Sequence, residues 1–360
     1  MQQEISYNEL SEKIHGHDGH VFFVSGKTFE LANISRRLSL GNHTSYVRFS
    51  DFTENPSLED LIKAKDAFVK CDSTLIIAIG GGSAIDLAKL VKYYAKTSLD
   101  GNEIAPPKVI DIGSIELVVI PSTFGTGSES THFAVLYING QKHSVAHESI
   151  LPDIYLLDGS LSDTLPRKVK GSACLDALSQ AVESYWSVAS TMESKRFAKE
   201  AIIIIRKNLS KYLLGDVSVS NELSIAANLA GKAINITKTT AAHALSYTLT
   251  AKYNIPHGHA VALCIKNMFE ANMGSATRDG LVDLKILMNE LYSFLNVSNG
   301  KEASDLFSDY MIAAGLEPCL SGCVSLSEAE TENLINSVNT ERLSNHPVNF
   351  SMDEIKLIFD

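Results

Sequence analysis

Apolar residues fall into short unbroken runs along the first ~160 positions. Residues 19–24 (Gly-His-Val-Phe-Phe-Val), 74–79 (Thr-Leu-Ile-Ile-Ala-Ile) and 116–120 (Glu-Leu-Val-Val-Ile) are continuous rather than alternating. That is the signature of strands covered on both faces, as in a parallel sheet, and glycine, serine or proline bounds each run. Past Asp158 the texture changes. Stretches such as residues 197–205 and 223–233 carry a helical period, and few strand candidates remain. The pattern predicts an α/β N-terminal domain over residues 1–164 and an all-helical C-terminal domain over residues 165–360, with the change near Pro166. Val217-Ser218-Val219-Ser220 reads as a short surface loop. There is no internal repeat and no low-complexity stretch.

With 360 residues, 45% of them hydrophobic and 20% charged, the chain has material for two cores. Its net charge of -11 is spread over interspersed acids and bases. That balance argues against a nucleic-acid or anionic-membrane surface and favours small-molecule chemistry. The opening residues have neither the basic nor the apolar region of a signal peptide, and no apolar run nears the ~20 residues of a membrane span. A cytoplasmic protein is expected. Cys71, Cys174, Cys264, Cys319 and Cys323 are odd in number and scattered, so a disulfide framework is not expected. Cys319 and Cys323 do not match a zinc-knuckle spacing and read as reduced thiols.

Two loops leave predicted strands with the composition of anion cradles. The run 74–79 enters Gly80-Gly81-Gly82-Ser83, and a helix opening Ala84-Ile85-Asp86-Leu87-Ala88-Lys89 follows. Glycines let the backbone approach an anion, and the free amides and positive dipole end of a helix attract phosphate. The spacing is neither the Walker pattern nor GxGxxG, and such a turn taken singly is as often structural. The second loop, Pro121-Ser122-Thr123-Phe124-Gly125-Thr126-Gly127-Ser128-Glu129, is rich in small hydroxyls. Two adjacent strand-end loops of this kind suit a dinucleotide at the carboxyl edge of a parallel sheet, which makes the N-terminal domain Rossmann-like and dinucleotide-binding.

The helical half carries the metal candidates. His243 and His257 stand in one local frame, and Asp176 completes a two-histidine, one-carboxylate set able to hold Fe(II) or Zn(II) with positions left open. Gln180 lies four residues after Asp176, on the same helical face. Either segment standing alone has a bland reading: an aspartate on a helix is ordinarily solvated or a cap, and a lone histidine is ordinarily structural.

Together the segments resemble something specific. Gly-Gly-Gly-Ser with Asp86 and Lys89, the Pro-Ser-Thr-Phe-Gly-Thr-Gly-Ser-Glu loop, the Asp-Ala-Leu-x-x-Ala-x-Glu-x-Tyr helix and Tyr-Asn-Ile-Pro-His-Gly occur in the order seen in iron-containing (group III) alcohol dehydrogenases. The resemblance covers most of residues 20–265. It implies metal ligation by Asp176, His243 and His257. It also implies NAD or NADP contacts from Gly80, Gly81, Gly82, Ser83, Asp86, Ser122, Thr123 and Thr126, with Lys142 on the cofactor side. Three residues depart from the family pattern. Gln180 replaces a third histidine ligand, so an amide oxygen or water must serve there. Tyr247 replaces a histidine near the nicotinamide; its phenol either hydrogen-bonds the alcohol or packs. Gly26 stands where many members carry an aspartate that repels a 2'-phosphate, and neighbouring Lys27 even favours NADP. His259 is an extra histidine: a partner behind the metal ligands, an acid/base group lining the cavity, or a bland helix-start residue.

The resemblance implies a primary alcohol oxidised to an aldehyde by hydride transfer to the nicotinamide, with metal and cofactor on opposite walls of an interdomain cleft and a homodimer as the assembly. Within the family, Ala-His-Ala-Leu-Ser-Tyr-x-Leu-Thr with Pro-His-Gly-His-Ala looks similar to members acting on anionic, functionalised substrates. The first expectation is the C8 hydroxyl of 3-deoxy-D-manno-octulosonate in lipopolysaccharide sugar biosynthesis, with a partner aminotransferase drawing off the aldehyde; the second is phosphonoacetaldehyde reduction. Lys238 and Lys252 are the candidate anion anchors. Two rivals are a dehydroquinate synthase-like lyase, for which no basic phosphate constellation is evident, and a non-catalytic binding protein that lost metal affinity through Gln180.

Overall fold

The computed structural model describes residues 2–41, 44–97, 99, 115–274, 276–277, 284–336 and 343–359. The chain divides into two compact units, Met1–Thr123 with Ser128–Leu161, and Phe124–Gly127 with Ser162–Asp360. The division falls at Leu161/Ser162, slightly before the position read from the sequence. In addition, a four-residue piece of the second glycine-rich loop belongs to the helical unit.

The first unit is built on a six-stranded parallel sheet in the order β1-β8-β5-β4-β2-β3. Its strands are β1 (Gln3–Glu4), β2 (Val21–Val24), β3 (Tyr46–Phe49), β4 (Leu75–Gly80), β5 (Glu116–Pro121) and β8 (Ile154–Tyr155). Successive residues of β2 enter opposite cores: Val21 and Phe23 pack with Ile77 and Val118, whereas Phe22 and Val24 pack with Ile76 and Val119. Both faces are covered, which is why these strands read as unbroken apolar runs. Helices α1 (Tyr7–His15), α2 (Thr28–Leu31), α3 (Ile34–Arg37), α4 (Leu58–Cys71) and α5 (Gly82–Tyr94) clothe the sheet. An antiparallel hairpin, β6 (Phe133–Ile138) with β7 (Gln141–Ala146), completes the unit. The hairpin is absent from the sequence reading, although its Asn139-Gly140 turn, left-handed at both residues, is a strong local signal.

The second unit is helical, with α6 (Arg167–Trp186), α7 (Met192–Leu213), α8 (Ser220–Thr237), α9 (Ala241–Tyr253), α10 (His257–Gly274), α11 (Leu284–Leu295), α12 (Gly300–Ala314), α13 (Leu320–Cys323) and α14 (Glu328–Asn336). A last helix spans Met352–Ile358, and a two-residue pair, β9 (Ala276–Thr277) with β10 (Val348–Asn349), is the strand content among its described residues. Helix α6 is buried nearly all round from Lys170 to Trp186. Such a helix shows no amphipathic stripe in sequence, and it forms the spine on which α7, α8 and α10 pack. Residues 217–219 form a short 3-10 turn instead of an open loop, because the Asp216 carboxylate accepts the Ser218 N–H at 3.0 Å. The five cysteines are free thiols. Among the described residues, no helix is long and apolar enough to cross a membrane.

Candidate active site

In the α/β unit, β4 runs straight into α5 through the glycines. Gly80 sits at φ +155, and a Cβ there would lie 2.9 Å from that of Ala84, so only glycine makes this turn without strain. Gly81 is the N-cap of α5 and has no side chain to occupy the first-turn amides. The Ser122 N–H donates to Gly80 O at 2.9 Å, which ties the second loop to the first. A Cβ on Gly81 would meet Thr123 Oγ1 at 3.3 Å. Gly80, Gly81, Gly82, Ser83, Ser122 and Thr123 are therefore gathered at one sheet edge, where an anion meets backbone donors and a helix N-terminus. Ser83 Oγ accepts the Asn55 N–H at 3.1 Å. Thr126 lies exposed in the segment that belongs to the helical unit.

Asp86 has a different setting. Its two oxygens accept from Ser128 Oγ at 2.6 Å and from the Val135 N–H at 2.9 Å. The buried Lys89 ammonium donates to Ser128 Oγ, Thr131 Oγ1 and Phe133 O at 2.9–3.0 Å. Burial raises the Asp86 pKa against the pull of Lys89, and burial lowers that of Lys89 to about 8. These residues knot α5 to the loop and hairpin that follow β5. Lys142, exposed on β7, contributes its positive charge to Asp86.

At the end of β2, Ser25 Oγ donates to Ile79 O at 2.8 Å, and Gly26 follows in a place with room: a Cβ there finds only Phe52 Cζ, at 3.9 Å. The basic group bound to this strand end is Arg48, which the sequence reading passed over. Its guanidinium donates to Ser25 O at 3.0 Å and Gly26 O at 2.8 Å, pairs with the Glu30 carboxylate and lies 4.7 Å over the Phe29 ring.

In the helical unit, three elements bring the metal candidates together. Asp176 projects from α6, His243 from the first turn of α9, and His257 is the first residue of α10. His243 Nε2 lies 3.2 Å from Asp176 Oδ1, His257 Nε2 lies 4.0 Å from it, and one ligand atom from each residue falls within 4.8 Å of the others. No other such group of His, Cys, Asp or Glu occurs among the described residues. The connection 254–256 sets this geometry. Asn254 ends α9 in the left-handed conformation, and Pro256 precedes the first turn of α10. A Cβ on Gly258 would fall 1.9 Å from Ser172 O and 2.8 Å from Asp176 Cβ. Glycine there lets α10 close on α6 and carries His257 to Asp176.

Gln180 lies one turn beyond Asp176. Its Oε1 is buried and has no hydrogen-bond partner, and its side chain hydrogen-bonds Asp176. An uncompensated buried acceptor beside two imidazoles and a carboxylate is what a cation would satisfy, so the donor set fits a divalent metal. Burial pushes the Asp176 carboxyl up, but the hydrogen bond and charge of the two histidines win and its pKa is lowered. Burial pushes His243 down, but the carboxylates of Glu183 and Asp176 win and its pKa is raised. Glu183 was not singled out from the sequence. The visible signal was its place seven residues after Asp176, on the same face of α6.

Tyr247 packs its ring against His257, with centroids 6.0 Å apart and planes 16° from parallel. His259 is not drawn into the trio: its Nε2–H donates to Glu317 O at 2.7 Å, its backbone N–H donates to Ser172 Oγ at 3.1 Å, and burial lowers its pKa. Lys238 and Lys252 are exposed, and the Lys252 ammonium lies 5.1 Å over the Tyr253 ring.

Residues 1–159 match the family described as iron-containing alcohol dehydrogenase, and residues 171–359 match the C-terminal part of the Fe-containing alcohol dehydrogenase family. An alcohol dehydrogenase from Thermococcus barophilus is 30% identical over 79% of this chain and 76% of its own length. A phosphonoacetaldehyde reductase from Streptomyces viridochromogenes is 31% identical, covering 54% of this chain and 52% of that protein. A sulfoacetaldehyde reductase from Bilophila wadsworthia is 31% identical, covering 58% and 55%. The chain spans about half, or less, of the length of several other curated relatives that it matches. In fold it is similar to the crystal structure of sulfoacetaldehyde reductase from Bifidobacterium kashiwanohense in complex with NAD+, with a TM-score of 0.86 at 24% identity over 100% of this chain and 96% of that one. The match across both halves, joined to a buried aspartate, two converging histidines and a glycine-lined strand end, places the chain in the iron-containing alcohol dehydrogenase family.

Proposed function

We propose that the chain interconverts a primary alcohol and its aldehyde with NAD or NADP, one hydride passing between the substrate carbon and the nicotinamide and one proton being released on oxidation. The observation that carries this reading is the group of buried Asp176, buried His243 and half-buried His257 beside the unpartnered Gln180 Oε1. These four residues would hold a divalent ion, Fe(II) or Zn(II), which when bound supplies Lewis acidity toward an alcohol or carbonyl oxygen. The chain's own work is to hold ligands and exclude water. Asp176 and His243 are almost fully buried, and His257, about one-third exposed at the side chain, is the open edge of the group. Tyr247 lies stacked beside the His257 ring. In the α/β unit, the amides of residues 81–83 and the hydroxyls of Ser122 and Thr123 would meet the cofactor pyrophosphate.

The substrate class proposed is a small anionic alcohol or aldehyde. Two relatives support it, one named for phosphonoacetaldehyde and one for sulfoacetaldehyde. Of specific compounds, the C8 hydroxyl of 3-deoxy-D-manno-octulosonate rests on sequence resemblance alone, and phosphonoacetaldehyde has the named relative behind it. The deciding experiment offers the metal-loaded protein both compounds with each cofactor, following NAD(P)H and oxygen and trapping carbonyl product for mass identification. A C8 aldehyde supports the sugar acid, and rapid phosphonoacetaldehyde reduction without it supports the second. Turnover of neither, with simple alcohols oxidised instead, overturns the anionic class.

A further inference from the structure

Glu183 is fully buried on α6, and every hydrogen bond of its carboxylate runs to the N-cap Thr240 or the first turn of α9. Its Oε1 accepts the N–H groups of Thr240, Ala242 and His243 at 3.1, 3.0 and 3.3 Å, together with the Thr240 hydroxyl at 2.8 Å. Its Oε2 faces Nδ1 of the His243 ring. Helix α9 has no capping bond from its own N-cap, because the Thr240 side chain turns away to Glu183. The carboxylate of a neighbouring helix supplies that function, and a negative charge suits the positive end of the helix dipole. The N-cap is braced further. Thr240 Oγ1 accepts Trp186 Nε1–H at 2.9 Å and faces His346 Nδ1 at 3.2 Å, while Asn345 Nδ2 donates to Thr237 O at 2.7 Å and Thr239 O at 3.1 Å.

We propose that Glu183 is the positioning residue of the metal group: one carboxylate fixes the start of α9 and, through the same side chain, holds a proton of His243 on Nδ1, so that Nε2, beside Asp176, is the nitrogen that gives up its proton to a metal. A carboxylate only accepts, so in the metal-free protein both ring nitrogens carry N–H, one toward Glu183 and one toward Asp176; an ion shared with Asp176 displaces the Nε2 proton, while Glu183, which lies away from that group, keeps the Nδ1 proton and leaves Nε2, 3.2 Å from Asp176 Oδ1, as the ligand atom. Because Asp176, Gln180 and Glu183 lie on one face of α6, that single helix sets ligands and ligand orientation together. The inference rests on the metal-site reading of Asp176, His243 and His257.

The test separates orientation from bracing by two variants and two readouts. In Glu183→Gln the amide oxygen keeps the Oε1 position for the four α9 donors. Its NH2 then faces Nδ1 and donates, so the ring proton moves to Nε2 and the ligand lone pair is lost. Zinc affinity, measured by competition with a chromophoric chelator, should fall about 10–100-fold, with metal-free melting close to wild type. Thr240→Val removes a brace without touching the ring: metal-free melting should drop by about 2–4 °C with zinc affinity retained. Zinc affinity in Glu183→Gln equal to wild type overturns the proposal, as does equal loss of both readouts in both variants, which would make Glu183 a brace alone. Should Glu183→Gln not fold, long-range 1H–15N correlation on zinc-loaded wild type decides: coordination through Nε2 with a proton on Nδ1 supports the proposal, and coordination through Nδ1 overturns it. Wild type that binds no divalent ion brings down the metal-site reading itself, a result distinct from failure of the variant.

Discussion

Replacing Gly258 by alanine tests the claim that close helix packing builds the metal group. The added Cβ would sit 1.9 Å from Ser172 O and 2.8 Å from Asp176 Cβ, against atoms that are backbone or backbone-fixed. Restoring ordinary contact demands a retreat of about 1.5 Å by the first turn of α10, an overpacking that typically costs about 1–3 kcal/mol. His257 is the adjacent residue and moves with that turn. Its Nε2 is already 4.0 Å from Asp176 Oδ1. Donors bonded to one ion at about 2.0–2.2 Å must approach to roughly 3.0–3.5 Å, so the retreat works directly against ligation. We expect metal affinity to fall about 100-fold or more, equivalent to roughly 2.7 kcal/mol. Chelator competition with zinc, and with Fe(II) under anaerobic conditions, measures the loss, and calorimetric melting of the metal-free protein measures the packing cost. Gly274→Ala is the control, because a Cβ there meets nothing within 4 Å. Gly258→Ala protein with wild-type affinity and melting temperature would refute the reasoning.

Three further outcomes are expected. Gln180→His places an imidazole where a buried amide oxygen now lacks a partner, and zinc affinity should rise by about tenfold or more; unchanged or weaker binding in the same competition assay would mean that position 180 does not reach the ion. Gly26→Asp has room for its side chain and sets a carboxylate beside Arg48, so it should weaken NADP relative to NAD by about tenfold in a fluorescence titration; equal effects on both cofactors would place the adenosine ribose elsewhere. Because the carboxylates of Glu183 and Asp176 outweigh burial and raise the His243 pKa, that group's contribution to metal-free stability is complete below its unfolded pKa of about 6.5 and is lost as pH climbs through the raised value. Metal must displace this proton, so apparent affinity should increase about tenfold per pH unit between roughly pH 6 and 8, and a flat profile would show that His243 is neutral before metal enters.

Several features were legible in the chain itself because they depend on local chemistry. Residues 21–24, 75–80 and 116–121 form strands buried on both sides, and unbroken apolar runs announce that. The strand, glycine, helix order at 75–94 and the Asn-Ile-Pro break at 254–256 are likewise written in residue types with narrow backbone preferences. The pairing of His243 with His257 followed from their short separation, and Asp176 from family resemblance. What lay beyond the sequence was decided by contacts between residues far apart in it. The β6–β7 hairpin was overlooked although its turn was visible. Asp86, which resemblance assigned to the cofactor side, and its neighbour Lys89 form hydrogen bonds to Ser128, Thr131, Phe133 and Val135 some forty residues on. His259 turned to a carbonyl fifty-eight residues away. Arg48 reached β2 because β2 and β3 are sheet neighbours. Glu183 stands in the Asp-Ala-Leu-x-x-Ala-x-Glu-x-Tyr segment, but its partner is defined only when α9 docks its first turn on it. Local residue types set which segments become strand, turn or helix; only packing chose which buried carboxylate faces which imidazole, because a charge stays inside only where the folded chain surrounds it with donors.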